Sequence, residues 1–309
     1  MKILFVETIH PLLKHQLEKN KHECDTAYNK TKSEIEGIIH KYHGIIIRSR
    51  LDIDQTFLNK ATNLRFIARA GSGMENINVS YANKKKIKCY NAAEGNKNAV
   101  AEHALGMLLA LFNNLNRCDT EIRDGNWNRE SNRGIEIAGK TIGIIGYGNN
   151  GSAFAEKLNV LGANILAYDK YLKKHKHLSS MQRIFKEADI LSLHIPLTKE
   201  TTHLINDKFI SKFKKNIYLI NIARGKCVKT KSLVSALKRN KIKGACLDVL
   251  EYENTSFNKL QKNNVKEDLN YLIKSEKTIL SPHIAGWTIE SNQSIAEVLL
   301  KKITADFVK

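Results

Sequence analysis

Thr141-Ile142-Gly143-Ile144-Ile145-Gly146-Tyr147-Gly148-Asn149-Asn150-Gly151 is the stretch on which the fold turns. Thr and Ile fill four of its first five positions, the composition of a buried strand, and the strand runs directly into GxGxxG. Residues 152–161 then have helical character, and Ile165-Leu166-Ala167-Tyr168-Asp169 reads as a second strand. In such a unit Gly146 permits the tight turn, Gly148 lets a pyrophosphate approach the backbone, and Gly151 lets helix pack on strand. The start of that helix offers free N–H groups and a positive dipole end to phosphate, with Asn149 and Asn150 of the preceding loop as further cofactor contacts. Asp169, eighteen residues beyond Gly151, stands where a carboxylate reaches the adenosine ribose hydroxyls. Its charge repels a 2′-phosphate, so the expected cofactor is NAD rather than NADP. The basic run from Lys170 to Lys176 works against that preference.

Outward from this loop, short β-branched runs alternate with helical stretches along the whole chain. Strands are expected at 3–6, 44–48, 66–69 and 88–91, and again at 141–145, 165–169, 190–194, 218–222, 245–248 and 278–280. Strand spacings of roughly 25 residues in the second part suit parallel sheets with crossover helices. A helix of about twenty residues is expected over 98–117, and another over 289–309. The polar segment 252–275 reads as an excursion outside the sheet. The fold class is α/β, with two doubly wound parallel-sheet domains.

Composition narrows the function classes. The chain has 309 residues, 42% of them hydrophobic, with 3 Pro, which excludes disordered, collagen-like and disulfide-scaffold classes. The longest apolar stretch, at 99–112, is interrupted by Glu102 and His103 and is too short to span a bilayer. The first seven residues read as a strand rather than a signal peptide. Five cysteines without CxxC spacing point to reduced thiols, and hence to the cytoplasm; no metal site is expected. The net charge of +19 rests on 39 Lys among 50 basic residues. These are spread along the chain without interleaved aromatics, the pattern of a solvated basic surface, and a nucleic-acid partner is not expected.

Three further segments carry a resemblance: Asn221-Ile222-Ala223-Arg224-Gly225, Leu247-Asp248-Val249-Leu250-Glu251-Tyr252-Glu253 and Ser281-Pro282-His283-Ile284-Ala285-Gly286. With the glycine loop and Asp169 they resemble the D-isomer-specific 2-hydroxyacid dehydrogenases. Val100-Ala101-Glu102-His103, Gly125-Asn126-Trp127 and His194-Ile195-Pro196-Leu197-Thr198 add to the likeness, which covers essentially the whole chain in order. The resemblance implies a Rossmann NAD domain over 98–283, inserted into a flavodoxin-like substrate domain made of 1–97 and 284–309. It implies an active site in the cleft between them and a homodimer built partly on the long helix. By the length of the chain, no regulatory domain is expected after it.

Oxidising a 2-hydroxy acid needs a base for the hydroxyl proton, a cation for the carboxylate and a nicotinamide face for the hydride. Arg224 suits the second task, since its planar fork holds a carboxylate bidentately. His283 suits the first, exchanging a proton near neutral pH. Glu253 resembles the family's acidic partner of that histidine, five residues after the cofactor-contacting Asp248; Glu251 competes for the role. The family's pattern has proline after this acid, where Asn254 stands here. The resemblance also assigns cofactor contacts to Ser72, His194, Ile195, Pro196, Ile222, Ala223, Ala285 and Gly286. It places the substrate carboxylate at the loop holding Ser72 and Gly73. Arg48-Ser49-Arg50 resembles the substrate-facing segment of phosphoglycerate dehydrogenases. The expected reaction is therefore NAD-dependent hydride transfer at C2 of a D-2-hydroxy acid, with 3-phosphoglycerate and serine biosynthesis foremost. A glyoxylate or hydroxypyruvate reductase and an NAD-sensing, corepressor-like binding protein stand as alternatives.

Overall fold

Parallel strands β1 (Lys2–Phe5), β2 (Glu23–Thr26), β3 (Gly44–Ile47), β4 (Phe66–Arg69) and β5 (Lys88–Tyr90) make a first sheet in the order β2-β1-β3-β4-β5. This is the flavodoxin-like order. The computed structural model describes residues 1–253 and 267–307, which divide into two units at 97/98 and 286/287. Alternate residues of the first sheet serve opposite faces. Leu4, Ile45, Ile47 and Ile67 pack with Ile35, Phe57 and Leu58 on one side. Ile3, Phe5, Ile46, Phe66 and Ala68 pack on the other with Leu13 and Leu17 of the helix Pro11–Lys19. That second face is completed by Ile295, Leu299 and Ile303 of the helix Ile289–Phe307, so the end of the chain closes the unit formed by its beginning. Each such side chain contributes roughly 1.5–3 kcal/mol on leaving water. Strand β2 was not among the expected strands. Glu-Cys-Asp-Thr lies at the sheet edge with no fully buried residue, so it carries no apolar run.

The second unit holds β6 (Thr141–Ile145), β7 (Asn164–Tyr168), β8 (Ile190–Leu193), β9 (Ile217–Asn221), β10 (Ile242–Leu247) and β11 (Thr278–Leu280). They form one parallel sheet in the order β11-β10-β9-β8-β6-β7. Beyond β7 a single parallel bridge joins Ala167 to Leu178. It stands where the Rossmann order 3-2-1-4-5-6 has its third strand. Strand order reverses between β6 and β8, and the glycine loop leaves β6 at that switch point. No helix among the described residues is long and apolar enough to cross a membrane.

Two sequence expectations are corrected. The helix expected over 98–117 is two helices, Lys97–Phe112 and Leu115–Arg123, separated at Asn114 with φ +52°. Asn adopts left-handed backbone more readily than most residues. Of segment 252–275, read as an excursion outside the sheet, Glu267–Lys274 is a helix with Leu269 and Leu272 buried; residues 254–266, Asn254 among them, lie outside the described residues. The second boundary falls after Gly286 rather than at 284, because the Ile284 and Ala285 N–H groups are bonded to Asp248 of the second unit.

Candidate active site

The glycine loop is shaped by close backbone approaches. Gly146 has φ +90°, and a Cβ there would lie 2.4 Å from the His194 carbonyl oxygen. A Cβ on Gly151 would lie 2.0 Å from the Gly146 carbonyl oxygen, so helix and strand meet at van der Waals limits. Around Gly148, by contrast, a Cβ would meet nothing within 4 Å. Gly148 is the N-cap of the helix Asn149–Val160, and no side chain caps that end. Asn150 Oδ1 is buried there without a hydrogen-bond partner among the described residues. Open space above an uncapped helix start, whose first N–H groups are left to donate outward, fits a bound diphosphate.

Asp169 follows β7. Its Oδ2 accepts the Tyr147 N–H at 2.8 Å, and its Oδ1 accepts the N–H groups of Tyr171 and Leu172. Burial pushes this carboxyl up, but the three N–H bonds outweigh it and hold it below the usual carboxylate range. Oδ2 keeps one lone pair for a ribose hydroxyl.

Because all strands of this sheet are parallel, the residues after β8, β9, β10 and β11 gather at one edge. His194-Ile195-Pro196 leaves β8 there. The His194 ring packs on Phe154 with 5.5 Å between centroids, its Nε2 lies 2.9 Å from Ser192 Oγ, and its Nδ1 is buried without a partner among the described residues. Burial pushes this imidazole down to about 3, so it is neutral.

Ile222, Ala223 and Arg224 leave β9. The Asn221 side chain accepts the Ala223 N–H and donates to the Arg224 carbonyl, which fixes the turn that presents Arg224. One Arg224 Nη donates to the Ala223 carbonyl at 2.7 Å. The following turn, after β10, carries both candidate acids. Glu253 Oε2 lies 2.7 Å from His283 Nδ1, and Glu253 Oε1 accepts the Leu250 N–H. Glu251 faces elsewhere, 2.7 Å from His203 Nε2 and accepting the Thr230 N–H at 2.8 Å. Of the two acids, Glu253 is the one that meets His283.

His283 itself has φ +57°, unusual for a residue with a Cβ. Its N–H donates to the Asp248 carbonyl, while the Asp248 carboxylate accepts Ser281 Oγ–H and the N–H groups of Ile284 and Ala285. Asp248 is 1% exposed, so this carboxylate clamps the turn from below.

In the first unit, considered by itself, Ser72 and Gly73 sit in the loop after β4. Ser72 Oγ donates to Asn96 Oδ1, and the Ser72 carbonyl accepts Asn91 Nδ2. Asn76 ties this loop to the carbonyls of Arg48 and Leu51. The 48–50 turn is held by Glu7, whose carboxylate accepts the N–H groups of Arg48, Ser49 and Arg50 at 2.6–3.1 Å. The Arg50 guanidinium donates to the carbonyls of Val6, Ala27 and Lys30, which ties this turn to the segments after β1 and β2. Arg48 instead lies over the Trp287 ring, Cζ 4.4 Å from the centroid, and its guanidinium has no hydrogen-bond partner among the described residues. Burial pulls its pKa down, although a guanidinium stays charged.

Comparison with known proteins gives the family. Residues 105–285 match the model described as D-isomer specific 2-hydroxyacid dehydrogenase, NAD binding domain. The chain belongs to that family. Over 98% of its length it is 32% identical to a D-3-phosphoglycerate dehydrogenase of Archaeoglobus fulgidus, of which it spans only 56%. Over 93% it is 33% identical to a hydroxypyruvate reductase of Thermotoga maritima, covering 92% of that protein. Among solved structures, a D-lactate dehydrogenase of Aquifex aeolicus complexed with NAD and lactic acid superposes with a TM-score of 0.82 at 29% identity, covering 99% of this chain and 95% of that one.

In this chain the sequence left Glu7, His103, Ser281 and Trp287 unassigned, and each supports a candidate residue of its own unit. Glu7 had a signal available: it follows β1, and β1 pairs with β3, which ends just before Arg48. The others come from segments distant in sequence, and only packing brings them to their partners.

Proposed function

We propose that this D-2-hydroxyacid dehydrogenase is an NAD-dependent oxidoreductase that moves a hydride between nicotinamide and C2 of a D-2-hydroxy acid or its 2-keto acid. The observation that carries the reading is the 2.7 Å contact of Glu253 Oε2 with His283 Nδ1, on the same sheet edge as Arg224. The nicotinamide, when bound, supplies the hydride acceptor or donor. Glu253 fixes the His283 tautomer with a proton on Nδ1, which leaves Nε2 to take the proton from the C2 hydroxyl or return it to the keto oxygen. Arg224 holds the substrate carboxylate. Asp169 favours NAD by repelling a 2′-phosphate. The direct test is NADH oxidation with a panel of 2-keto acids, comparing wild type with His283→Ala. Loss of a positioned proton donor typically costs about 100- to 10,000-fold in turnover. NADH binding without turnover of any keto acid would turn the reading toward a binding protein.

For the substrate, 3-phosphohydroxypyruvate is favoured over hydroxypyruvate and glyoxylate because Arg48 offers a charged guanidinium with no hydrogen-bond partner among the described residues. Such a group contributes about 1.5–3 kcal/mol to a phosphate contact. Equal efficiency with all three keto acids would make the protein a general reductase.

A homodimer is proposed through the segment that follows the helix break. The helix Leu115–Arg123 has no buried residue, and Leu115, Ile122 and Trp127 are 52%, 51% and 78% exposed. Leu115 and Ile122, seven positions apart, share one face of that helix, and exposed apolar groups on one face suit an interaction surface. Light scattering on wild type and on Ile122→Glu with Trp127→Ala tests it; a monomeric wild type removes the proposal.

A further inference from the structure

Three side chains from separate parts of the second unit form a chain of hydrogen bonds beneath His283. His103, on the helix Lys97–Phe112, places Nε2 2.9 Å from Ser281 Oγ and 3.5 Å from Asp248 Oδ1. Ser281 Oγ lies 2.7 Å from Asp248 Oδ1, and that oxygen also accepts the Ile284 N–H. A serine hydroxyl has one proton. The carboxylate is the strongest acceptor within its reach, ahead of Met107 Sδ at 3.6 Å, so the proton goes to Asp248. It follows that His103 must donate through Nε2–H, and the run of donors is His103 to Ser281 to Asp248. From the other side Asp248 holds the His283, Ile284 and Ala285 N–H groups by its carbonyl and carboxylate.

The purpose of such a clamp is visible in the backbone. His283 sits at φ +57°, a conformation that costs roughly 1–3 kcal/mol for a residue with a Cβ and persists only where surrounding bonds enforce it. If Asp248 shifts, the turn relaxes, and the His283 ring moves relative to Glu253. We propose that His103 is a positioning residue for the proton-transfer step, acting through Ser281 and Asp248 to hold the left-handed turn that aims His283. This rests on the reading of His283 given above. His103 touches neither His283 nor Glu253 in the contacts described, so its action is through the turn.

The test compares His103→Ala, Ser281→Ala, the double variant and His103→Gln, with rates normalised to NADH sites titrated by fluorescence. Misplacement of a reacting group by about 1 Å costs up to roughly 100-fold. His103→Ala is expected to lower kcat about 10-fold, with KM for NADH within about twofold of wild type. The double variant should be no slower than the worse single variant by more than about twofold, since both cut one link. The Gln variant, whose amide N–H can replace Nε2–H, should recover to within about threefold of wild type. Should His103→Ala not fold, His103→Leu, which keeps the bulk but donates nothing, cuts the contacts to both Ser281 and Asp248 and is expected to show the same fall. Wild-type kcat in that variant or in His103→Ala overturns the inference, as does a loss that Gln fails to restore. His283→Ala is run alongside. If it keeps wild-type turnover, the proposed function fails instead, so the two failures are distinguishable.

Discussion

Gly225 lies directly under Leu250: a Cβ on the glycine would sit 1.9 Å from the Leu250 carbonyl oxygen and 2.7 Å from the Glu251 nitrogen. The contact is backbone against backbone and leaves no room for a side chain to yield. It brings the turn that presents Arg224 against the turn that presents Glu253, although 29 residues separate those two side chains along the chain. The Gly225→Ala protein is therefore expected to lose at least about 2 kcal/mol of stability through overpacking. Urea midpoints measure it, and a loss below about 0.5 kcal/mol would mean that the turns can part.

The two acids on the second turn are predicted to separate cleanly. Glu253→Gln keeps the shape but loses the carboxylate beside His283 Nδ1, and kcat should fall about 100-fold or more. Glu251→Gln removes charge from the His203 and Thr230 contacts, which tie one loop to another. Its cost should appear as about 1–2 kcal/mol of stability with kcat nearly unchanged. Steady-state kinetics and thermal melts on both variants decide the matter, and the reverse pattern would exchange the two roles.

The two arginines after β3 should also behave differently. Arg48→Ala is expected to reduce the preference for 3-phosphohydroxypyruvate over hydroxypyruvate by about 10- to 150-fold. Arg50→Ala should leave that preference intact and lower stability, because its guanidinium serves three carbonyls of the first unit. Trp287→Ala is expected to fall between wild type and Arg48→Ala, since cation–π stacking is worth about 0.5–2 kcal/mol. Ratios of kcat/KM for the two keto acids give the answer. An unchanged ratio in Arg48→Ala would remove it from substrate recognition.

His194 carries a pH prediction. Burial holds its imidazole neutral down to about pH 3, whereas the unfolded chain protonates it near 6.5. Between those values the unfolded state binds more protons, so stability rises with pH across the window. The contribution is complete above about pH 6.5 and is lost as pH falls, with a slope of roughly 1 kcal/mol per pH unit. In urea titrations at pH 7.5, 6 and 5, wild type should lose stability more steeply than His194→Gln. Parallel curves for the two proteins would mean that the ring protonates in place.

How much of this was readable from residues alone depends on the range of the interaction. The glycine loop, Asp169 and the six strands of the second sheet are local matters: β-branched runs, glycines at fixed spacing, and a carboxylate one strand later. A chain with that pattern has few other ways to bury its apolar faces. Strand β2 escaped because an edge strand with polar residues carries no apolar signal. The helix break at Asn114 escaped because the apolar positions continue across it.

The chemistry of the site divides in the same way. The resemblance of three short segments pointed to Arg224 and His283, and it favoured Glu253 over Glu251 by its place five residues after Asp248. The tertiary structure adds where the two acids point, since they stand two positions apart and the turn after β10 aims them at different histidines. Only it tied Arg50 to three backbone carbonyls and left Arg48 over Trp287, because the carbonyls that hold Arg50 come from segments 20 to 44 residues away. The sequence by itself determined which groups were present and which strands would carry them. Where each side chain points was decided by partners distant along the chain, because hydrogen bonds and close packing act over a few ångströms of space whatever the separation in sequence.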